Sequence, residues 1–212
     1  GLPQGITFTV EETTPEGFTK TWTGATVSEG KATGTIAEGS AAVGCENSRK
    51  TGELQVKKTV TSVLASDKSK KFSFKVVLSD KTIAGDFGDM TFTADEEGSY
   101  ATFQLADGES QTATGLPQGI TYKVTELDAN TNGFTTEIDN ADGSISGTKA
   151  VAEAKNTRKT GELEVSKTVE STKAAHKTQD FNFTVELDHK IKAGTYGEMT
   201  FADSASGDKS VA

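Results

Sequence analysis

The strongest constraint on the fold is that the chain repeats itself. TGELQVKKTV, Thr51 to Val60, returns 109 residues later as TGELEVSKTV, Thr160 to Val169. A second text, GLPQGITFTVEE at Gly1 to Glu12, returns as GLPQGITYKVTE at Gly115 to Glu126. A repeat this long means that the chain is assembled from copies of one unit, strung beside one another in an array. In the first text Leu54, Val56, Lys58 and Val60 alternate with their neighbours, as Leu163, Val165, Lys167 and Val169 do in its copy. Period two predicts a strand with one face on a core. A lysine therefore falls in the buried row of both copies.

Lysine is almost never fully buried without a partner. The pattern alone allows two readings. The strand lies at an edge, where an inward charge discourages aggregation or the methylenes snorkel outward. Alternatively, Lys58 and Lys167 are used covalently.

The rest of the chain reads as all-β, rich in Thr, Gly, Val and Ser, with short alternating runs and little helical periodicity. ITFTV and ITYKV follow Pro-Gln-Gly turns and place Ile6, Phe8, Val10 and Glu12 on one face, and Ile120, Tyr122, Val124 and Glu126 on its copy. KFSFKVVL, Lys71 to Leu78, and DFNFTVEL, Asp180 to Leu187, predict core strands carrying Phe72, Phe74 and Val76, and Phe181, Phe183 and Val185. Thr61 to Lys71 is a polar connection. ATFQL, Ala101 to Leu105, followed by ADGES, predicts a hairpin with Asp107-Gly108 as its turn. Val43, Cys45 and Asn47 alternate, as do Ala152, Ala154 and Asn156, so an asparagine closes each inward row and Cys45 is predicted to be a small structural hydrophobe.

Composition excludes several functions. The net charge of -9, without a basic stripe, argues against nucleic-acid binding. No apolar run approaches membrane-spanning length. A single cysteine cannot form an internal disulfide, and two histidines without nearby cysteines make a zinc site improbable. Asp86 and Asp89 read as solvated loop carboxylates, because the second copy replaces them with Thr195 and Glu198. We expect no metal and no cofactor. The first residues read as mid-module text, so an export signal is expected upstream.

The repeats divide the chain into residues 1–48, the back half of one module; 49–157, a complete module; and 158–212, the front half of a third. The complete module carries Lys58, Glu126 and Asn156, each at the end of an apolar row. The back half carries Glu12 and Asn47, and the front half carries Lys167. A neutral lysine amine can attack the carboxamide carbon of asparagine while a carboxylic acid polarises the carbonyl and moves protons. Burial favours the neutral forms that this attack needs, and folding supplies the proximity. Ammonia leaves and an amide remains, once per module, so the chemistry is self-modification without turnover.

At these residues the chain resembles the internal-isopeptide, Ig-like (Cna-B-like) β-sandwich domains of Gram-positive pilins and cell-wall-anchored adhesins, streptococcal backbone pilins among them. The resemblance rests on the L-x-V-x-K-x-V strand, the phenylalanine-alternating strand, DGES, the L-P-x-G turn and V-T-E. It departs at the last strand, where Ala154 and Cys45 replace a phenylalanine. It implies a Lys58–Asn156 bond assisted by Glu126, and a possible second cross-link between terminal halves through Lys167, Asn47 and Glu12. It also implies tandem Ig-like modules in an extracellular stalk or backbone, anchored to the cell wall. The expected partners are neighbouring modules and, head to tail, other copies of the chain. The alternative is an adhesive module for a host or matrix ligand. No nucleophile–base set, metal motif or phosphate loop points to an enzyme.

Overall fold

The computed structural model describes residues 1–39, 41–96, 98–203 and 209–212. The first piece contains β1 (Thr7–Val10), β2 (Phe18–Thr23), β3 (Thr26–Ser28), β4 (Lys31–Thr35) and β5 (Gly44–Arg49). They form two small antiparallel sheets, β1-β4-β3 and β2-β5. The middle contains β6 (Thr51–Thr61), α1 (Ala65–Ser69), β7 (Phe72–Leu78), β8 (Gly85–Phe87), β9 (Met90–Asp95) and β10 (Gly98–Leu105). It continues with β11 (Ser110–Pro117), β12 (Thr121–Glu126), β13 (Phe134–Asp139), β14 (Asp142–Ser144) and β15 (Ala150–Arg158). The last piece holds α2 (Ala174–Lys177), β16 (Glu186–Leu187), β17 (Gly194–Tyr196), β18 (Met199–Asp203) and β19 (Ser210–Val211). Among the described residues, no helix is long and apolar enough to cross a membrane.

The middle strands make a sheet of six, β14-β12-β7-β10-β9-β8, and a sheet of four, β11-β6-β15-β13. Their inner rows share one core. Leu54, Val56 and Val60 of β6 meet Phe72, Phe74 and Val76 of β7, with Val124, Phe134 and Ala152 in the same cluster. The period-two text explains this sandwich, because every second residue of β6 from Gly52 to Val60 is buried. Gly52 is required by close approach, since a Cβ there would lie 1.9 Å from the Ser146 carbonyl oxygen. Burying Phe74 completely is worth about 2–3 kcal/mol.

One pairing governs the site. β6 and β15, the first and last strands of the sandwich, run parallel and side by side, with Ala154 opposite Lys58 and Asn156 opposite Val60. The other pairings of the two sheets are antiparallel.

Several expectations are corrected. ADGES is a turn, with Glu109 N donating to Ala106 O at 3.1 Å and Gly108 at φ 78°. It is not a hairpin, because β10 and β11 belong to different sheets. The turn instead crosses between the sheets and closes on β6, where Gly108 N donates to Lys58 O and Lys58 N to Glu109 O. The polar stretch after β6 contains the helical turn α1. Thr160 to Val169 forms no strand, and Leu163, Val165, Phe181 and Phe183 are exposed, because no strand among the described residues pairs beside Thr160 to Val169. Cys45, on β5, is exposed rather than buried, because no sheet among the described residues packs against its row.

Asp67 of α1 is buried and grips Arg158 at the end of β15. Arg158 Nε donates to Oδ2 at 2.8 Å, its Nη2 donates to Oδ1, and Ser62 Oγ donates to Oδ2 at 2.5 Å. The guanidinium also lies 4.2 Å from the Phe134 ring centroid. The Arg158 bond, with Ser62, holds the Asp67 carboxyl below its ordinary value against an opposing burial effect. A depressed carboxyl contributes stability above its unfolded value and loses it as pH falls through the folded one. Asp67→Asn should therefore cost about 2 kcal/mol at neutral pH. The difference from the parent should shrink as pH falls below about 4, measured by urea unfolding across pH. A gap that stays constant down to pH 2 would mean that the ion pair is not its source.

Candidate functional site

The inward row of β6 carries Lys58 into the core at 1% exposure, the end of β12 carries Glu126 there, and β15 carries Asn156. Each is placed by its strand's alternation, so the three polar groups converge because three apolar rows do. Lys58 Nζ lies 3.1 Å from Glu126 Oε2, and Asn156 Nδ2 donates to Glu126 Oε1 at 2.7 Å. One carboxylate thus bridges the amine and the carboxamide. Aromatic rings wall the cluster from water. Lys58 Nζ sits 4.4 Å from the Phe72 centroid, and Phe72 meets Phe134 edge-on at 5.5 Å.

This cluster is costly. Taking a charged pair out of water costs several kcal/mol per ion, recovered only with good geometry and full hydrogen bonding. Burial pushes the Lys58 amine below its ordinary value, and the facing Glu126 opposes that shift. Hydrogen bonding is incomplete, because Asn156 Oδ1 is the buried side-chain atom without a partner among the described residues. An orphaned buried acceptor calls for an explanation. Here it is the carbonyl oxygen of an amide held beside an amine whose neutral form burial favours.

The other candidate residues are only partly assembled. Asn47 Nδ2 donates to Glu12 Oε1 at 2.5 Å, and Cys45 Sγ donates to Glu12 Oε2 at 3.1 Å. Lys167 is exposed, donates to the Thr168 carbonyl at 2.6 Å and lies 4.6 Å from the Phe181 centroid. No hydrogen bond or ion pair among the described residues joins Lys167 to Glu12 or Asn47. Asp86 lies on β8 rather than in a loop and accepts from Thr91 Oγ1, whereas Asp89 lies in the turn between β8 and β9 and accepts from Thr112 N. Among the described residues, no cluster of three or more His, Cys, Asp or Glu could hold a metal ion.

Sequence reasoning missed the Asp67–Arg158 clamp. A signal for its basic half was present, since Arg-Lys-Thr-Gly-Glu-Leu occurs from Arg49 and again from Arg158.

A family described as a domain of unknown function (DUF7601) matches residues 52–158. The pilus tip adhesin Cpa of Streptococcus pyogenes is 40% identical over 86 residues, which is 37% of this chain and 12% of that protein. Among solved structures, the major pilin from Streptococcus pyogenes is 26% identical at a TM-score of 0.42, covering 62% of this chain and 56% of that one. A pilus-presented adhesin, Cpa, is 26% identical at a TM-score of 0.41, covering 52% and 28%. The chain thus spans about an eighth of the curated relative and up to about half of these structures.

Lys58→Met should leave Glu126 buried without a countercharge, at a cost of about 3–5 kcal/mol. Lys58→Met combined with Glu126→Gln removes both charges and should be the more stable of the two variants by urea midpoint. A double variant no more stable than the single would show that charge pairing is not what the core depends on here.

Proposed function

The chain belongs to the DUF7601 family, and we propose that its central module is a load-bearing unit of an extracellular, cell-wall-anchored surface stalk, locked by an amide bond that Lys58 and Asn156 form with the help of Glu126. The observation that carries this reading is the buried contact of one carboxylate with both an amine and a carboxamide. The two-sheet sandwich is read as an Ig-like (Cna-B-like) module, one of a tandem series with boundaries at 49–157. The 40% identity over 86 residues to a streptococcal pilus tip adhesin supports placing it on a Gram-positive cell surface.

The residues can carry the step without a cofactor. A proton passed from Lys58 Nζ to Glu126 Oε2 leaves a neutral amine and a carboxylic acid. After a half-turn of the Asn156 amide, that acid can donate to Oδ1, the atom now without a partner, and polarise the carbonyl. Nζ attacks Cγ, the Nζ–Cγ bond forms and Cγ–Nδ2 breaks. The amine's proton reaches Nδ2 through Glu126, and ammonia departs. Fixed neighbours in a water-poor pocket supply the rate.

The topology gives the bond a mechanical purpose. Tension on a stalk enters at the start of β6 and leaves at the end of β15, which point the same way and shear past each other. A bond from Lys58 to Asn156 carries that tension directly between the two strands. All strands from β7 to β14 are bypassed.

The intact mass should fall below the sequence mass by about 17 Da, the ammonia lost per bond. Glu126→Ala should fold yet keep its full mass. It should also lose part of the stabilisation expected from closing so long a loop, which is roughly 4–5 kcal/mol in an ideal entropic model. A parent protein at its unmodified mass would overturn the proposal, and full mass loss in Glu126→Ala would remove Glu126 from the reaction.

A further inference from the structure

One motif of the central module has no part in the buried cluster itself. ADGES, Ala106 to Ser110, carries the chain from one sheet to the other. Its backbone does more than reverse. Glu109 N donates to Ala106 O at 3.1 Å and Gly108 stands at φ 78°, as at the third corner of a type II turn. Gly108 N then donates to Lys58 O at 2.9 Å, and Lys58 N donates to Glu109 O at 3.0 Å. Two residues of one strand thus face one of the other, the first of them a glycine in the left-handed conformation. That is a G1 bulge, and the residue opposite it is the lysine. From Ser110 to Ala113 the ladder with β6 is regular, with Ser110 opposite Lys57 and Ala113 opposite Leu54.

Past the bulge a side chain takes over from the backbone. Asp107 Oδ1 accepts Val60 N at 2.6 Å, and Oδ2 pairs with Lys68 Nζ at 3.0 Å. Lys68, on α1, donates in turn to Val60 O, and Asp107 N donates to Lys68 O at 3.3 Å. Val60 is therefore pinned at both its N–H and its carbonyl, two residues after Lys58. Along the other edge β15 holds the same stretch in register. Glu109 braces the turn from within, accepting Ala106 N on Oε2 at 2.7 Å. The carboxyls of Asp107 and Glu109 are both held below their ordinary values, each chiefly by the backbone N–H that it accepts.

We infer that this turn is the positioning element of the cross-link proposed for Lys58, with Asp107 and Gly108 as its positioning residues. The inference rests on that reading, and neither residue touches a reacting atom. A bulge sharpens the local twist and re-aims the side chain that it faces. Val56 and Val60, the neighbours of Lys58 in its row, need only pack in the core, whereas Lys58 must reach Glu126 on the other sheet. A backbone fixed at Lys58 and again at Val60 holds Nζ where Glu126 and Asn156 meet. The charge of Asp107 acts in the opposite sense. Burial depresses the Lys58 amine, Glu126 opposes that shift, and Asp107 adds a smaller opposition. Attack needs a neutral amine beside a neutral acid, so the oxygen of Asp107 positions the lysine while its charge restrains it. Asparagine at 107 keeps an acceptor for Val60 N and drops the charge; alanine loses both. At Gly108, chain neighbours aside, no heavy atom lies within 4 Å of where a Cβ would stand, so a substitution there meets only the left-handed backbone. Asparagine tolerates that conformation and a β-branched residue does not.

The test dilutes the full chain, recovered unfolded in urea, into folding buffer. Intact mass follows the loss of ammonia while circular dichroism follows folding, so that the rate is that of folded chain. The parent should lose one ammonia. Asp107→Ala and Gly108→Val should fold but react about tenfold more slowly, since a misplacement of about 1 Å can cost a hundredfold. Asp107→Asn should recover the rate lost with alanine and exceed that of the parent, and Gly108→Asn should recover most of the rate lost with valine. Ile145→Ala is the control. Ile145 is buried beside Gly52, at the far end of β6, and its loss should weaken the fold without slowing the reaction of folded chain. If Asp107→Ala reacts at the parent's rate, or Ile145→Ala is slowed as much, the inference falls and the Lys58 reading stands. Asp107→Asn as slow as Asp107→Ala would also overturn it, because an acceptor would be present and would not position the lysine. A parent that keeps its full sequence mass would remove the Lys58 chemistry itself, and this inference with it.

Discussion

The parallel pairing of β6 with β15 is the constraint from which the rest follows. Parallel neighbours cannot be joined by a tight turn, so everything between them has to be built before they meet. The intervening strands form the second sheet and both edges of the first, and the core is what those faces enclose. The register of the pair sets Ala154 beside Lys58 and Asn156 one step along the row. Ala154 is small and fully buried, so the lysine has room to reach across to β12. A larger side chain at that position would compete for the space that Nζ now occupies beside Glu126 and Phe72.

The core accommodates its polar cluster through two devices. Glu126 satisfies the lysine and the amide nitrogen together, and the lysine nitrogen lies over the electron-rich face of Phe72, which Phe134 meets edge-on. Around the same rings lies a second charged layer. Arg158 covers Phe134, and Asp67 holds Arg158, so the pole nearest the cluster is sealed by an ion pair rather than by apolar side chains. At that pole the next piece also makes contact, with Lys192 N donating to Val63 O at 2.7 Å and Leu64 bridged to Ile191. At the other pole Arg49 donates to Gln118 O, and Gln118 N to Lys50 O.

Much of this was legible in the sequence, for identifiable reasons. Lys58 could be placed inward because its row has period two on both sides of it, and Glu126 and Asn156 because each ends such a row. The clamp was not legible, since Asp67 lies in a helical turn and Arg158 on a strand 91 residues away, a separation that no local period records. The destination of β11 was hidden for a related reason. Asp107-Gly108 encodes a reversal, and a reversal is the same whether the chain returns to its own sheet or crosses to the other. The text of Thr160 to Val169 predicts a strand correctly in pattern, yet strand formation needs a neighbour's backbone, which the pattern does not supply. Cys45 erred in the same way: its row faces inward only where a sheet packs against it.

The position of Asn156 on the last strand gives the proposed cross-link a place in time. Lys58 is among the first residues of the module to leave a ribosome or a translocation channel, and Asn156 is among the last. Until β15 slides in beside β6, the chain is a linear thread that can be passed unfolded through a narrow pore. Contacts so distant in sequence also form late in folding. The proposed reaction would therefore report completion, because it needs a module whose every intervening strand has been delivered, and a module so closed could not be drawn back out as a single thread.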